Sequence, residues 1–199
     1  MLLDDFKTAL ILLDHHLIMN PSVENMEIRA IGGFAMLYHN MRQNGYTADI
    51  DSLTVDWDTQ QLILIERVAS TLDLPSDWLN NYNVLDNDLE TVENMIEPFW
   101  EFVDWNFKRI ILKVADVETL MRSKLIASED YPLTQRVQDF PDLLDILKRL
   151  NLHSTQEFRS FLEELDIDLD LEYPFVAEKL IEQEKAGVFT DSLQFSEQL

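Results

Sequence analysis

Apolar residues at Leu2, Leu3, Phe6, Ala9, Leu10, Leu13 and Leu17 recur every three or four positions, which predicts an amphipathic helix over residues 2–17. Asn20-Pro21 ends it. Residues 27–31 read as a short strand running into Gly32-Gly33, and residues 34–41 return to helical spacing before the Asn44-Gly45 turn. The apolar positions Ile50, Leu53 and Val55 lie among polar ones and predict a strand over 49–55, followed by a helix over 59–72. Pro75 opens a predicted short helix at residues 76–79, and residues 80–88 read as a polar, exposed connection. Aromatic and β-branched residues over 99–105 and 109–114 predict two further strands, for a sheet of three or four. Beyond them Asp116 caps a helix reaching Ser128, another helix covers 141–150, and Ser154 with Glu157 forms a capping box for a third.

These elements, in 199 residues with 46% apolar composition and four glycines, describe a helix-rich α/β globule with one core. No low-complexity linker interrupts it, so the expected organisation is a single domain, 1–199, with an α/β core over 22–128 and a helical extension over 129–199. Without cysteine, thiolate metal sites and thiol nucleophiles are excluded. The acidic start of the chain and the absence of any apolar run near about 18 residues lead to the expectation of a cytoplasmic protein without a membrane span. The formal charge of −23 disfavours a long nucleic acid as partner, although eight of the 15 Lys and Arg residues fall between Lys108 and Arg149.

The candidate chemistry lies in Gly32-Gly33 and, one helix later, Asp49-Ile50-Asp51. Strand residues two apart share a face, so Asp49 and Asp51 place two carboxylates side by side. Their repulsion is relieved by hydration or by an oxygen-seeking cation such as Mg²⁺. Two residues without Cβ atoms leave room for a phosphate to approach the backbone.

This pairing of a glycine turn with an Asp-x-Asp strand resembles the nucleotidyltransferase superfamily, and within it small bacterial proteins related to the abortive-infection type of toxin–antitoxin nucleotidyltransferases. Three further stretches are similar: Thr47 just ahead of Asp49, the segment 118–127 with Lys124, and the segment 136–143 with Arg136, Asp139 and Asp142. Residues 75–81 are similar to a spacer found in some of these proteins. The resemblance implies the nucleotidyltransferase fold, a small mixed sheet flanked by helices, and Mg²⁺-dependent transfer of a nucleoside monophosphate from a nucleoside triphosphate to a hydroxyl. It implies that Asp49 and Asp51 hold the metal and that Asp104, as a third carboxylate from a neighbouring strand, joins them. It further implies that Gly32, Gly33, Thr47 and Arg136 bind the nucleotide, that Lys124 meets a phosphate, and that Asp139 orients Lys124 or helps bind the nucleophile. A cognate toxin or antitoxin is the implied protein partner. The chain departs from the pattern at Phe34, Gly45 and Gln138, where the family has a small hydroxylic residue, an arginine and a lysine. A degenerate member that binds a partner without turnover is the alternative implied by those departures.

Plainer readings stand beside each of these. Asp49 and Asp51 can end a solvated strand; Lys124 can be a surface lysine near Asp116, Glu118 or Glu129; and Arg136 with Asp139 can be an exposed helix pair. His15, His16 and His39 are read as structural, the run from Asp166 to Glu172 as a hydrated connection, and Phe99, Trp100, Phe102, Trp105 and Phe107 as core or sheet cover.

Overall fold

The computed structural model describes residues 1–42, 45–54, 57–81, 98–134 and 137–187. It is a mixed α/β structure that divides into two compact units, Met1–Leu120 and Met121–Leu199.

In the first unit, helix α1 (Leu3–Met19) leads to β1 (Met26–Ile31), α2 (Gly32–Tyr38), β2 (Ile50–Ser52), α3 (Thr59–Leu72), β3 (Leu79–Asn80), β4 (Trp100–Phe102) and β5 (Ile110–Ala115). The strands form one open, mixed sheet in the order β3-β2-β1-β5-β4. β1 pairs parallel with β5 and antiparallel with β2, β2 pairs parallel with β3, and β4 closes the other edge antiparallel to β5. Alternation decides the faces: Met26, Ile28, Ala30, Ile110, Leu112 and Val114 are buried. The interleaved Glu27 accepts ion pairs from Arg29 at 2.6 Å and Lys113 at 3.1 Å. Phe34 lies fully buried and meets Phe6 edge-on at 5.4 Å, so the residue after the glycines joins α2 to α1 in the core and does not face a ligand.

Local chemistry fixes the ends of α3. Asp58 accepts from the amides of Gln60 and Gln61 at 2.7 and 2.8 Å, Gln61 accepts from the Asp58 amide at 2.9 Å, and Asp73 closes the helix in the left-handed region at φ 54°. The entry to β5 is held from a distance by Asp14, whose carboxylate accepts from the amides of Lys108, Arg109 and Ile110 at 2.7–3.1 Å. Asp14→Ala strands three amides at a part-buried turn, and the expected result is a loss of about 2 kcal/mol, read as a lower thermal midpoint. An unchanged midpoint would mean that water replaces the carboxylate without cost.

Two expectations need correction, the helix at 76–79 and the number of strands. The predicted short helix at 76–79 is a turn followed by a strand: Trp78 is fully buried, its indole donates to the Ile65 carbonyl at 3.2 Å, and Leu79 and Asn80 pair with β2. Burial of the tryptophan pulls this polar segment onto the sheet, which therefore has five strands among the described residues. Phe99 and Phe102 are exposed, whereas Trp105 packs edge-on against Phe34 and Phe107. Val55 and most of the connection expected over 80–88 lie outside the described residues.

The second unit is helical. It takes over within α4 (Val117–Glu129), whose Asp116 cap accepts from the Thr119 amide at 2.8 Å, and continues through α5 (Tyr131–Thr134), α6 (Asp139–Arg149), α7 (Thr155–Glu164), α8 (Leu169–Glu172) and α9 (Pro174–Lys185). Leu143, Ile146, Leu147, Phe158, Leu162, Val176 and Leu180 are buried there. Glu129 caps α9 by accepting from the Phe175 and Val176 amides at 3.1 and 3.0 Å. The acidic run read as a hydrated connection is mostly exposed and contains the short α8, capped by Asp168, with Asp170 held bidentately by Arg159 at 2.8 Å. Among the described residues no helix is long and apolar enough to cross a membrane.

Candidate functional site

Strand register brings the glycine turn and the two carboxylates to one edge. Ile31 pairs with Asp51, so the residue that follows Ile31 in the chain, Gly32, lies beside the Asp51 side chain. Gly32 has φ +66°, and a Cβ there would stand 3.0 Å from Asp51 Oδ2. Both facts demand glycine: the backbone is left-handed and the carboxylate occupies the space. Gly33 is crowded in another way, because a Cβ on it would run into Thr47 Oγ1 and the Arg42 guanidinium. Thr47 is buried, its amide donates to the Met1 carbonyl at 3.1 Å, and Arg42 reaches back to the Tyr46 carbonyl at 3.2 Å. Thr47 and Arg42 thus lay a hydroxyl and a cation over the second glycine.

On the other side of β2, Asn80 pairs with Asp51 across the strands, and its amide donates to Asp49 Oδ2 at 3.1 Å and to the Asp77 carbonyl at 3.2 Å. Burial, then the charges of Asp51 and Asp77, push the Asp49 carboxyl up to about 6, against the opposing hydrogen bond from Asn80. The Asp49–Asp51 edge is therefore a place where negative charge is held at a cost.

Asp104 does not join this edge. It follows β4, at the opposite edge of the sheet and three strands from β2, roughly 14 Å away at ordinary strand spacing. It is exposed and accepts from the Asn106 amide at 3.3 Å. The neighbouring strand on the β2 side offers the neutral Asn80 instead. Among the described residues no group of three or more His, Cys, Asp or Glu side chains encloses a metal. A cation at Asp49 and Asp51 would need further oxygen ligands from water or phosphate, as Mg²⁺ commonly takes them.

Lys124 and Asp139 meet inside the second unit. Lys124 Nζ lies 2.7 Å from Asp139 Oδ1 and 2.9 Å from Asp142 Oδ2, and all three residues are buried, at 5%, 2% and 0% exposure. The reading of Lys124 as a surface lysine is thereby overturned, and Asp139 is not half of an exposed pair. Gln138, where the family pattern has lysine, donates to Asp142 Oδ1 at 3.0 Å. Arg136 lies outside the described residues. Gly45 has φ +66° with open space around its Cα, so it serves the turn. His39 sits against the Ala115 carbonyl at 2.8 Å through Nε2.

Arg42 is the residue of this edge that sequence reasoning passed over, and Asp77 and Asn80 entered it only as part of the spacer-like segment 75–81. Arg42 follows the end of α2 without periodic neighbours, and Asn80 sits in a two-residue strand inside a polar segment. Only the buried Trp78 beside Asn80 carried a signal. No family model, no curated protein and no solved structure matches the chain.

Proposed function

We propose that the chain is a Mg²⁺-dependent nucleotidyltransferase of the superfamily it resembles, with the Gly32-to-Asp51 edge as its nucleotide site. The observation that carries this reading is the packing of a left-handed Gly32 directly against Asp51, with Asp49 two residues before it. The donor set suits a hard divalent cation: two carboxylate ligands, one of them at about 6 because of burial and like charge, gain from a positive ion between them. When bound, Mg²⁺ supplies charge stabilisation to the attacking and leaving oxygens of a phosphoryl-group displacement. The chain's own part is positional. Gly32 leaves room for the Asp51 carboxylate beside the turn, Thr47 and Asn80 bring a hydroxyl and an amide to the same edge, and Asp49 and Asp51 offer the metal ligands side by side.

A second reading, a protein that binds nucleotide or a partner without turnover, is favoured by Asn80. It stands on the strand beside β2, where the resemblance implies a third carboxylate, and an amide neither ionises nor accepts a proton as a base.

The deciding experiment is calorimetric titration of ATP, GTP, CTP and UTP with Mg²⁺ into wild type and Asp49→Asn/Asp51→Asn, followed by assay of pyrophosphate release. One nucleotide is expected to bind the wild type in a Mg²⁺-dependent way, with at least tenfold loss in the double variant. Binding without pyrophosphate release from the nucleotide, whatever acceptor is supplied, would favour the second reading, and the absence of Mg²⁺-dependent binding would sink the first.

A further inference from the structure

We infer that the outer face of α1 is a contact between two copies of this chain, packed antiparallel about a two-fold axis. Beyond Asp5 the exposed residues of α1 are Lys7, Thr8, Ile11, His15, Ile18 and Met19. None of them is a carboxylate, in a chain where 38 of 199 residues are acidic. The one acid in that span, Asp14, is buried and accepts from the amides at the entry to β5. Other helices differ: exposed Glu157 and Glu163 on α7, and Glu178 and Glu182 on α9, keep those faces charged. Ile11 and Ile18 expose 50% and 40% of their surface and Met19 65%, at the i, i+7 and i+8 spacing that makes one helical stripe. Lys7 borders the stripe and lies over the Trp105 ring at 5.4 Å.

A second copy is the occupant that the charges favour. At −23, two copies repel each other wherever their carboxylates meet, and a two-fold contact sets the same carboxylate-free stripe on both sides. Direction follows from the ends of the helix. Parallel pairing would bring Asp4 and Asp5 of both copies into one turn with the helix dipoles aligned. Antiparallel pairing sets those carboxylates against the uncharged Asn20-Pro21-Ser22 of the second copy and opposes the dipoles. Centring the stripe on itself then places Thr8 against Ile18, and Ile11 against His15, of the second copy. The area suits a weak dimer. Helix α1 has 17 residues, about 25 Å, and α3 packs beside it, so the two-helix face measures about 25 by 20 Å, on the order of 500 Å² per copy. Ile63, exposed on α3, adds to its apolar part. Two such faces bury about 1,000 Å² in total, the lower end of a specific interface, which puts dissociation in the micromolar range.

The test is sedimentation velocity of the full chain across the micromolar range, at low and at high salt. Wild type is expected to pass from monomer to dimer as concentration rises, and to do so more tightly at high salt, where repulsion between the acidic copies is screened. Ile11→Glu/Ile18→Glu should weaken the dimer at least tenfold, with a thermal midpoint near wild type in dilute solution, since both side chains already meet water. Phe102→Glu, which charges the exposed aromatic of edge strand β4, should leave the dimer intact. Because the chain has no cysteine, oxidising a mixture of Thr8→Cys and Ile18→Cys proteins reads the register independently. The mixed disulfide is expected to dominate, because like positions of the two copies lie ten residues of helix apart, about 15 Å, too far to bridge. A wild type that stays monomeric at the highest concentration would overturn the proposal and leave the stripe to an unlike partner. So would a dimer that Ile11→Glu/Ile18→Glu leaves intact or Phe102→Glu dissolves, or disulfides that form without preference for the mixed pair.

Discussion

Replacing Lys124 with methionine is expected to destabilise the protein by about 3–5 kcal/mol, because the change leaves Asp139 and Asp142 buried without the ammonium that lies 2.7 and 2.9 Å from them. Neither aspartate is exposed by more than 2%, so water cannot take over the lysine's role without the helices parting. At the usual slope for chains of this size, the thermal midpoint should fall on the order of 10 °C. The combined change Lys124→Met/Asp139→Leu/Asp142→Leu should recover much of the loss, since a buried ionic group replaced whole by apolar side chains is often neutral or better. Calorimetric melting of the three proteins decides the matter. A midpoint for Lys124→Met within about 1 °C of wild type would show that the group contributes no net stability, and would return Lys124 to consideration as a phosphate contact.

That group also shows where sequence reading reached and where it stopped. The helix carrying Lys124 was visible, as were the cap at Asp116 and a helix from residue 141 just beyond Asp139, because helix periodicity and capping chemistry are local. The depth of burial was not visible: fifteen residues of chain separate the ion pair's members, and only packing decides whether such a pair is wet or dry. The same division holds in the first unit. Helix α3 occupies the span its apolar period predicts, from a capping box written in Asp58 and Gln61. Asp49 and Asp51 share a strand edge with Gly32 because their period of two and the register at Ile31 are short-range facts. Sheet order is long-range, and it removed Asp104 from the edge and put Asn80 there instead. Trp78, in a segment otherwise rich in turn residues, was the residue whose burial redirected the chain.

The carboxylates at the candidate site should also be measurable as a stability defect. With its carboxyl raised to about 6, chiefly by burial and then by Asp51 and Asp77, Asp49 binds its proton more tightly in the folded chain than in the unfolded chain, where it titrates near about 3.9. The stabilising contribution is therefore complete below pH about 4, declines as pH rises, and is gone once pH has passed through about 6. Allowing for the partial exposure of Asp49, the decline is on the order of 1–2 kcal/mol. Asp49→Asn should remove this slope and melt higher than wild type at pH 7.5, while keeping an oxygen acceptor for the Asn80 amide at 3.1 Å. Asn80→Asp should do the reverse: it replaces the donor beside Asp49 with another negative charge, lowers the midpoint at pH 7.5 in EDTA, and steepens the pH dependence. Millimolar Mg²⁺ should then raise the midpoint of Asn80→Asp by more than it raises that of wild type, since three carboxylates attract a divalent cation more strongly than two. A flat stability profile between pH 4 and 7 in wild type, or equal Mg²⁺ responses in the two proteins, would mean that the carboxylates of this edge are hydrated independently and do not act as one site.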